Sequence, residues 1–197
     1  MFKRRQKRRW KKLARAAAVA VVCMTELSGV RGADDSVSRE YQIKANFLAL
    51  APKFVEWPKD ALANGARTFQ TCAYGAFPFG TALAELTRTT EVNGKRVELR
   101  WVRRESELRS CQIVFVSRSE EKHYGKILAD LRDTSALTVG ETADFVEAGG
   151  IVSLETHERG LEIEVNLEAA QRARLKISSQ LLTLARRVIG RVTSARS

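Results

Sequence analysis

With 34 Lys/Arg against 23 Asp/Glu in 197 residues, the chain carries a formal charge of +11, which taken alone would suggest a nucleic-acid binder. The excess is local: residues 1–32 hold ten basic residues and one acid, and the 24 basic and 22 acidic residues that follow leave the rest at +2. A nearly neutral body of about 165 residues lacks the basic face that neutralises phosphates, and it is long enough for one domain with its own core.

The first segment reads as an export leader. Nine basic residues from Lys3 to Arg15 precede an apolar run, Ala16–Met24, and small residues ending in Val30-Arg31-Gly32-Ala33. A basic region, a short apolar run and a small-residue cleavage zone are the parts of a secretory signal peptide. The run is about nine residues, far short of the ~20 that span a bilayer. The expected cut follows Gly32, giving a leader of 1–32 and a mature domain of 33–197 in the periplasm. Cys23 follows Ala-Val-Val and lacks the small residue that precedes a lipidated cysteine.

Along the mature chain, Ile43, Phe47, Leu50 or Ala51 and Phe54 form one apolar stripe at helical spacing, predicting a helix over 40–57 that Pro52 kinks or divides. Glu40 and Lys44 read as a favourable surface pair on it. A strand is expected over 68–74, an aromatic turn over 75–80, a short helix over 81–87 and a turn at 92–95. Residues 96–102 alternate as a half-buried strand with Val97, Leu99 and Trp101 on one side. A helical turn at 106–110 leads to Ile113-Val114-Phe115-Val116, the unbroken run of a central strand covered on both faces. There follow a helix over 120–131, a strand over 136–139, a short helix over 143–147 and a hairpin of 151–155 with 161–165. Asn166 caps a helix over 167–174, and Ser178 or Ser179 caps a last helix carrying Leu181, Leu182, Ala185 and Val188. This alternation predicts an α/β fold: one three-layer domain with a mixed, mainly parallel sheet of five to six strands flanked by helices and closed by antiparallel edge strands.

No enzyme constellation emerges. His123 and His157 lack metal-ligand spacing to each other or to a cysteine, and there is no phosphate-binding loop and no nucleophile elbow. No cofactor, metal or catalytic residue is therefore expected. Once Cys23 leaves with the leader, Cys72 and Cys111 remain, 39 residues apart; in an oxidising compartment they either pair or stay as two buried thiols.

The ordered set Glu40-Tyr-Gln-Ile-Lys-Ala-Asn-Phe-Leu, Lys53-Phe-Val-Glu-Trp-Pro58, Phe77-Pro-Phe-Gly80, Cys111-Gln-Ile-Val-Phe-Val-Ser117, Leu137-Thr-Val-Gly-Glu141 with Phe145 and Gly149-Gly-Ile151, Val165-Asn-Leu-Glu-Ala-Ala170 and Leu175-Lys-Ile-Ser-Ser-Gln-Leu-Leu182 resembles the YfiR family of periplasmic proteins. The resemblance implies a homodimeric repressor that holds a membrane-bound diguanylate cyclase inactive by protein contact. It further implies that an outer-membrane lipoprotein sequesters the repressor, and that cyclic di-GMP signalling and biofilm formation respond. Cys72 and Cys111 match the family's cysteine pair, so the resemblance implies their disulfide. Phe54 and Trp57, as an aromatic anchor, and Leu181 and Leu184, as exposed leucines of the last helix, are the candidate partner-binding residues. The alternative is a periplasmic small-molecule binding module with a cleft at the carboxyl edge of the sheet.

Overall fold

The computed structural model describes residues 32–63, 68–158 and 160–190. The expected leader falls outside these residues except for Gly32, and Cys23 is outside them too. Backbone proximity divides the chain into residues 1–37 and 38–197, and the architecture below is that of the second unit.

The first helix, α1, runs Gly32–Leu50 and stops where Pro52 cannot supply a helical N–H; a 3-10 turn, Ala51–Phe54, takes Pro52 in its first turn. The expected helix over 40–57 is thus divided, and its tail becomes strand β1, Val55–Glu56. Next come α2 (Lys59–Ala63), β2 (Thr68–Tyr74), α3 (Ala82–Arg88), β3 (Glu91–Val92) and β4 (Lys95–Val102). A 3-10 segment, Glu105–Ser110, precedes β5 (Ile113–Val116), and another, Arg118–His123, precedes α4 (Tyr124–Leu131). The chain continues through β6 (Leu137–Gly140), α5 (Ala143–Glu147), β7 (Val152–His157), β8 (Gly160–Asn166), α6 (Leu167–Arg172), β9 (Lys176–Ile177), α7 (Ser179–Leu184) and β10 (Arg187–Ile189).

Eight strands form one sheet in the order β10-β8-β7-β6-β5-β2-β4-β3, and β1 pairs separately with β9. β4, β2, β5, β6 and β7 are mutually parallel neighbours, whereas β8 lies antiparallel to β7 and β3 antiparallel to β4. The α/β, mainly parallel architecture therefore holds, with more strands than expected. β3 comes from the Asn93-Gly94 turn, whose positive φ angles of 50° and 74° suit a two-residue hairpin loop. β10 replaces the expected end of the last helix: α7 stops at Leu184, and Val188 pairs with Val165 of β8. β8 is therefore an inner strand rather than an edge.

Alternation along the central strands feeds two cores, one per sheet face. Phe69, Ala73, Ile113, Phe115, Leu137 and Val139 join Ala45 and Leu48 of α1 on one side. Cys72, Val114 and Val116 join Tyr124, Ile127, Leu131 and Phe145 on the other. Cys72 and Cys111 are disulfide-bonded across this second core, with Cα atoms 6.0 Å apart.

Phe145 shows how closely that core is fitted. Its buried ring lies edge-on to Tyr124 at 4.8 Å, and a Cβ added at Gly140 or Gly150 would fall 2.1 or 2.2 Å from it. Gly140→Ala or Gly150→Ala is expected to cost about 1–3 kcal/mol through overpacking. A urea midpoint that stays at the wild-type value in both variants would contradict this.

Candidate functional site at the carboxyl edge of the sheet

In an open parallel sheet, ligands bind beyond the carboxyl ends of the strands, where the winding reverses direction. Here the five parallel strands lie in the order β4-β2-β5-β6-β7, so the reversal falls between β2 and β5. The residues that leave these ends are Gly75, Ser117–Ser119 and, beyond β6, Glu141.

The chain fills this crevice itself. Gly75 has φ +87°, and a side chain there would meet Ser119 Oγ at 2.6 Å and Glu120 Cγ at 2.8 Å. The Ala76 N–H donates to Ser119 Oγ at 2.9 Å, tying the two strand ends together. Beside them lies a buried charge cluster. Lys44 of α1 and Glu141 are both fully buried, with Lys44 Nζ 2.8 Å from Glu141 Oε1. Lys44 also bonds the Glu40 carboxylate and lies 4.9 Å over the Tyr41 ring. Glu141 Oε2 accepts the Arg118 N–H at 2.7 Å, and the Arg118 guanidinium approaches the Glu141 carbonyl at 3.5 Å. Burial, reinforced by the Glu141 carboxylate, pushes the Tyr41 phenol above its ordinary range, and burial pushes Tyr124 up to about 12. The Glu40–Lys44 pair is therefore not the surface pair the sequence suggested. Its ammonium is enclosed, and it fastens α1 to the carboxyl edge.

From this cluster an aromatic row runs to the surface. Tyr41 meets Phe79 at 5.5 Å, Phe79 meets Phe77 at 5.5 Å, and Phe77 stacks on Trp101 at 5.8 Å with planes 27° apart. Phe79 also lies edge-on to Phe115 of β5, 4.8 Å away. The Phe77-Pro78-Phe79 turn thus wedges between α1 and β4. The Trp101 indole N–H donates to the Gly75 carbonyl at 3.0 Å, yet its ring is 52% exposed. Trp101 shares a face with Val97 and Leu99 as expected, but lies on the surface.

The candidate partner-binding residues do not form one patch. Trp57 is buried in the first core, edge-on to Phe69 at 5.0 Å. Phe54 is half-buried, and its carbonyl accepts the Ser178 N–H at 2.9 Å, next to the start of α7. Leu181 is fully buried, which corrects its reading as an exposed leucine: capped by Ser178, α7 turns this side chain inward. Leu184 is 63% exposed. Asn166 acts as a cap, accepting from the Ala169 N–H at 2.9 Å while donating to the Val146 carbonyl at 3.0 Å. His123 faces Glu120, and His157 faces Glu155 and Glu162, all as exposed pairs. Among the described residues no cluster of three or more His, Cys, Asp or Glu is placed to hold a metal ion, and no helix is long and apolar enough to cross a membrane.

Lys44, Glu141 and Trp101 are the features the sequence did not reveal as site residues. The one available signal was the presence of Lys44, Phe77 and Glu141 inside the segments that carried the family resemblance.

Among solved structures, a conserved domain protein from Vibrio cholerae is 13% identical, with a TM-score of 0.45, covering 66% of this chain and 57% of that one. An ABC domain from Streptococcus pneumoniae, solved in complex with L-Trp, is 15% identical, with a TM-score of 0.49, covering 76% of this chain and 60% of that one. The chain thus spans under two thirds of the length of either structure, and at these scores neither likeness bears on function. A comparison with curated proteins finds no match. The model of one protein family, described as YfiR/HmsC-like, matches residues 41–186, from Tyr41 at the buried cluster to the segment between α7 and β10. On that match, which takes in well over half of its length, the chain belongs to the YfiR/HmsC-like family.

Proposed function

We propose that residues 33–197 are an exported regulator that represses an inner-membrane diguanylate cyclase by direct contact with its periplasmic part. The family match over residues 41–186 carries this reading, because the family supports a periplasmic, regulatory role in cyclic di-GMP signalling. Residues 1–32 are then the discarded leader, which accounts for a charge of +11 on a chain whose remainder is nearly neutral. An outer-membrane lipoprotein that sequesters the regulator and a homodimeric working form complete the scheme.

Repression of this kind needs a differential affinity: the regulator must bind the inactive conformation of the cyclase more tightly than the active one. The alternative, small-molecule reading depends on space at the carboxyl edge. Ser119, Glu120 and the Lys44–Glu141 pair occupy the point where such a cleft would open, which favours action through an outer surface.

Deleting the gene in its host is expected to raise cellular cyclic di-GMP and biofilm mass, and re-expression with the leader should reverse both. Unchanged cyclic di-GMP in a strain that carries the cognate cyclase would refute the repression. A large, ligand-specific rise in Tm with an amino acid or vitamin, in the absence of any protein partner, would favour the binding module instead.

A further inference from the structure

β4 has a complete neighbour on one side only. It pairs with β2 along its length, from Arg96 to Val102, but with β3 only through Lys95 and Arg96. Just past that hairpin the Val97 N–H turns outward to the Thr90 carbonyl at 3.0 Å. Backbone groups alternate sides along a strand, so Leu99 and Trp101 also direct their N–H and C=O outward, away from β2. Among the described residues nothing pairs with them on that side. A free run of this kind is a template for another strand.

The side chains around it say what would fit. Trp101 is exposed but fixed, by its stack on Phe77, its bond to the Gly75 carbonyl and the Arg103 guanidinium 5.2 Å from its ring. An aromatic group already immobilised loses little entropy when it is covered, which is the usual character of an interface anchor. Arg96 is exposed, and among the described residues neither Arg96 nor Arg103 has a carboxylate partner. Arg100 and Arg104 share one, Glu107, at 3.3 and 3.0 Å. Glu98, the one acid within β4, is taken up by Thr68 and Gln70 of β2.

We infer that the free edge of β4 binds an extended acidic segment of a protein partner by strand addition. The segment takes its main-chain bonds from Leu99 and Trp101, lays apolar side chains on Leu99 and the Trp101 ring, and turns carboxylates to the opposite face within reach of the Arg96 side chain, with an acidic end toward Arg103 beyond Trp101. Beyond the Thr90 contact, from Glu98 to Arg103, the edge accommodates about five or six residues. A second copy of this chain fits less well. An antiparallel pairing centred on Leu99 would put the copy's Trp101 opposite Val97, where Thr90 already sits, and a pairing centred on Trp101 would crowd Arg100, Arg103 and Arg104 of both copies into one short seam. This inference deepens the protein-contact reading above, on which it rests, by naming the face that makes the contact.

The probe is a fluorescein-labelled octapeptide of alternating Val and Glu, with the Val/Lys counterpart as control, titrated into the purified native protein at low salt. The Val/Glu peptide is expected to bind and the Val/Lys peptide to fail. Amide exchange at Leu99 and Trp101 is expected to be fast in the free protein and slow in the complex. Affinity should drop about tenfold or more in Trp101→Ala and in the double variant Arg96→Glu/Arg103→Glu. Leu99→Pro removes the outward N–H together with a half-buried side chain on the first core, so it should abolish binding at some cost in Tm; should it fail to fold, Trp101→Ala and the exchange data decide. No binding by about 1 mM peptide overturns the inference. So does protection centred on other residues, protection of Leu99 and Trp101 already present in a free dimer, or binding to phosphatidylglycerol vesicles in place of the peptide. Repression of cyclic di-GMP that persists in Trp101→Ala and in the Arg96→Glu/Arg103→Glu variant condemns the edge alone. Peptide binding in a protein whose deletion leaves cyclic di-GMP unchanged condemns the cyclase reading alone.

Discussion

Replacing Lys44 with Met is expected to cost about 3–5 kcal/mol, the largest loss for any single side chain considered, whereas Lys44→Met combined with Glu141→Gln should cost much less. Both side chains are fully buried, and the 2.8 Å ion pair is their principal compensation for leaving water. Removing the ammonium strands the Glu141 carboxylate in the interior, where the Arg118 N–H and the Tyr41 phenol beside it cannot neutralise the charge. Glu141→Gln removes the stranded charge yet retains a carbonyl oxygen for that N–H. Unfolding in urea of the wild type, both single variants and the double variant gives the coupling directly, and simply additive costs would show that the two residues do not act as a unit. Because the pair fastens α1, amide exchange over residues 40–50 should accelerate in Lys44→Met more than exchange in β5.

The elements legible in the sequence were those whose signal lies within the element. The Ile113–Val116 run announced a strand covered on both faces, and each of its four residues is buried, alternating between the two cores. Ala143–Glu147 ended where the Gly149-Gly150 pair indicated, and Asn166 and Ser178 cap the helices they precede. Where the deciding partner lay far along the chain, local pattern misled. Glu40 and Lys44 have the same spacing whether the ammonium meets water or a carboxylate 97 residues away, so nothing nearby marked Lys44 as buried. Val188 completes a helical period with Leu181 and Ala185. Yet α7 stops at Leu184, and the next residues gain more by pairing with β8 than by extending the helix alone into solvent. The alternation of Val97, Leu99 and Trp101 correctly placed the three on one face. Whether that face is covered at Trp101 depends on how far the neighbouring elements reach along an edge strand, which strand periodicity does not encode.

Removing the Cys72–Cys111 bridge, as Cys72→Ala/Cys111→Ala, is expected to lower stability by roughly 3–4 kcal/mol and Tm by about 10 °C. The bridge closes a loop of 39 residues that contains α3, β3 and β4, so cutting it frees much of the sheet's outer half in the unfolded chain. The native side should change little. The Gln112 N–H donates to the Gln70 carbonyl at 2.9 Å, and the Gln112 side chain accepts the Gln70 N–H at 2.7 Å, so β2 and the approach to β5 stay joined without the sulfurs. The loss should therefore appear as an earlier urea midpoint with unchanged near-ultraviolet dichroism in water. Both sulfurs belong to buried residues of the second core, so a reductant reaches them only when that core opens. Reduction by dithiothreitol should accordingly follow the unfolding rate and accelerate in the Gly140→Ala background. Rapid reduction of the native protein, with no accompanying loss of structure, would instead mark the bridge as a switch accessible in the folded state and would overturn its assignment as a structural tie.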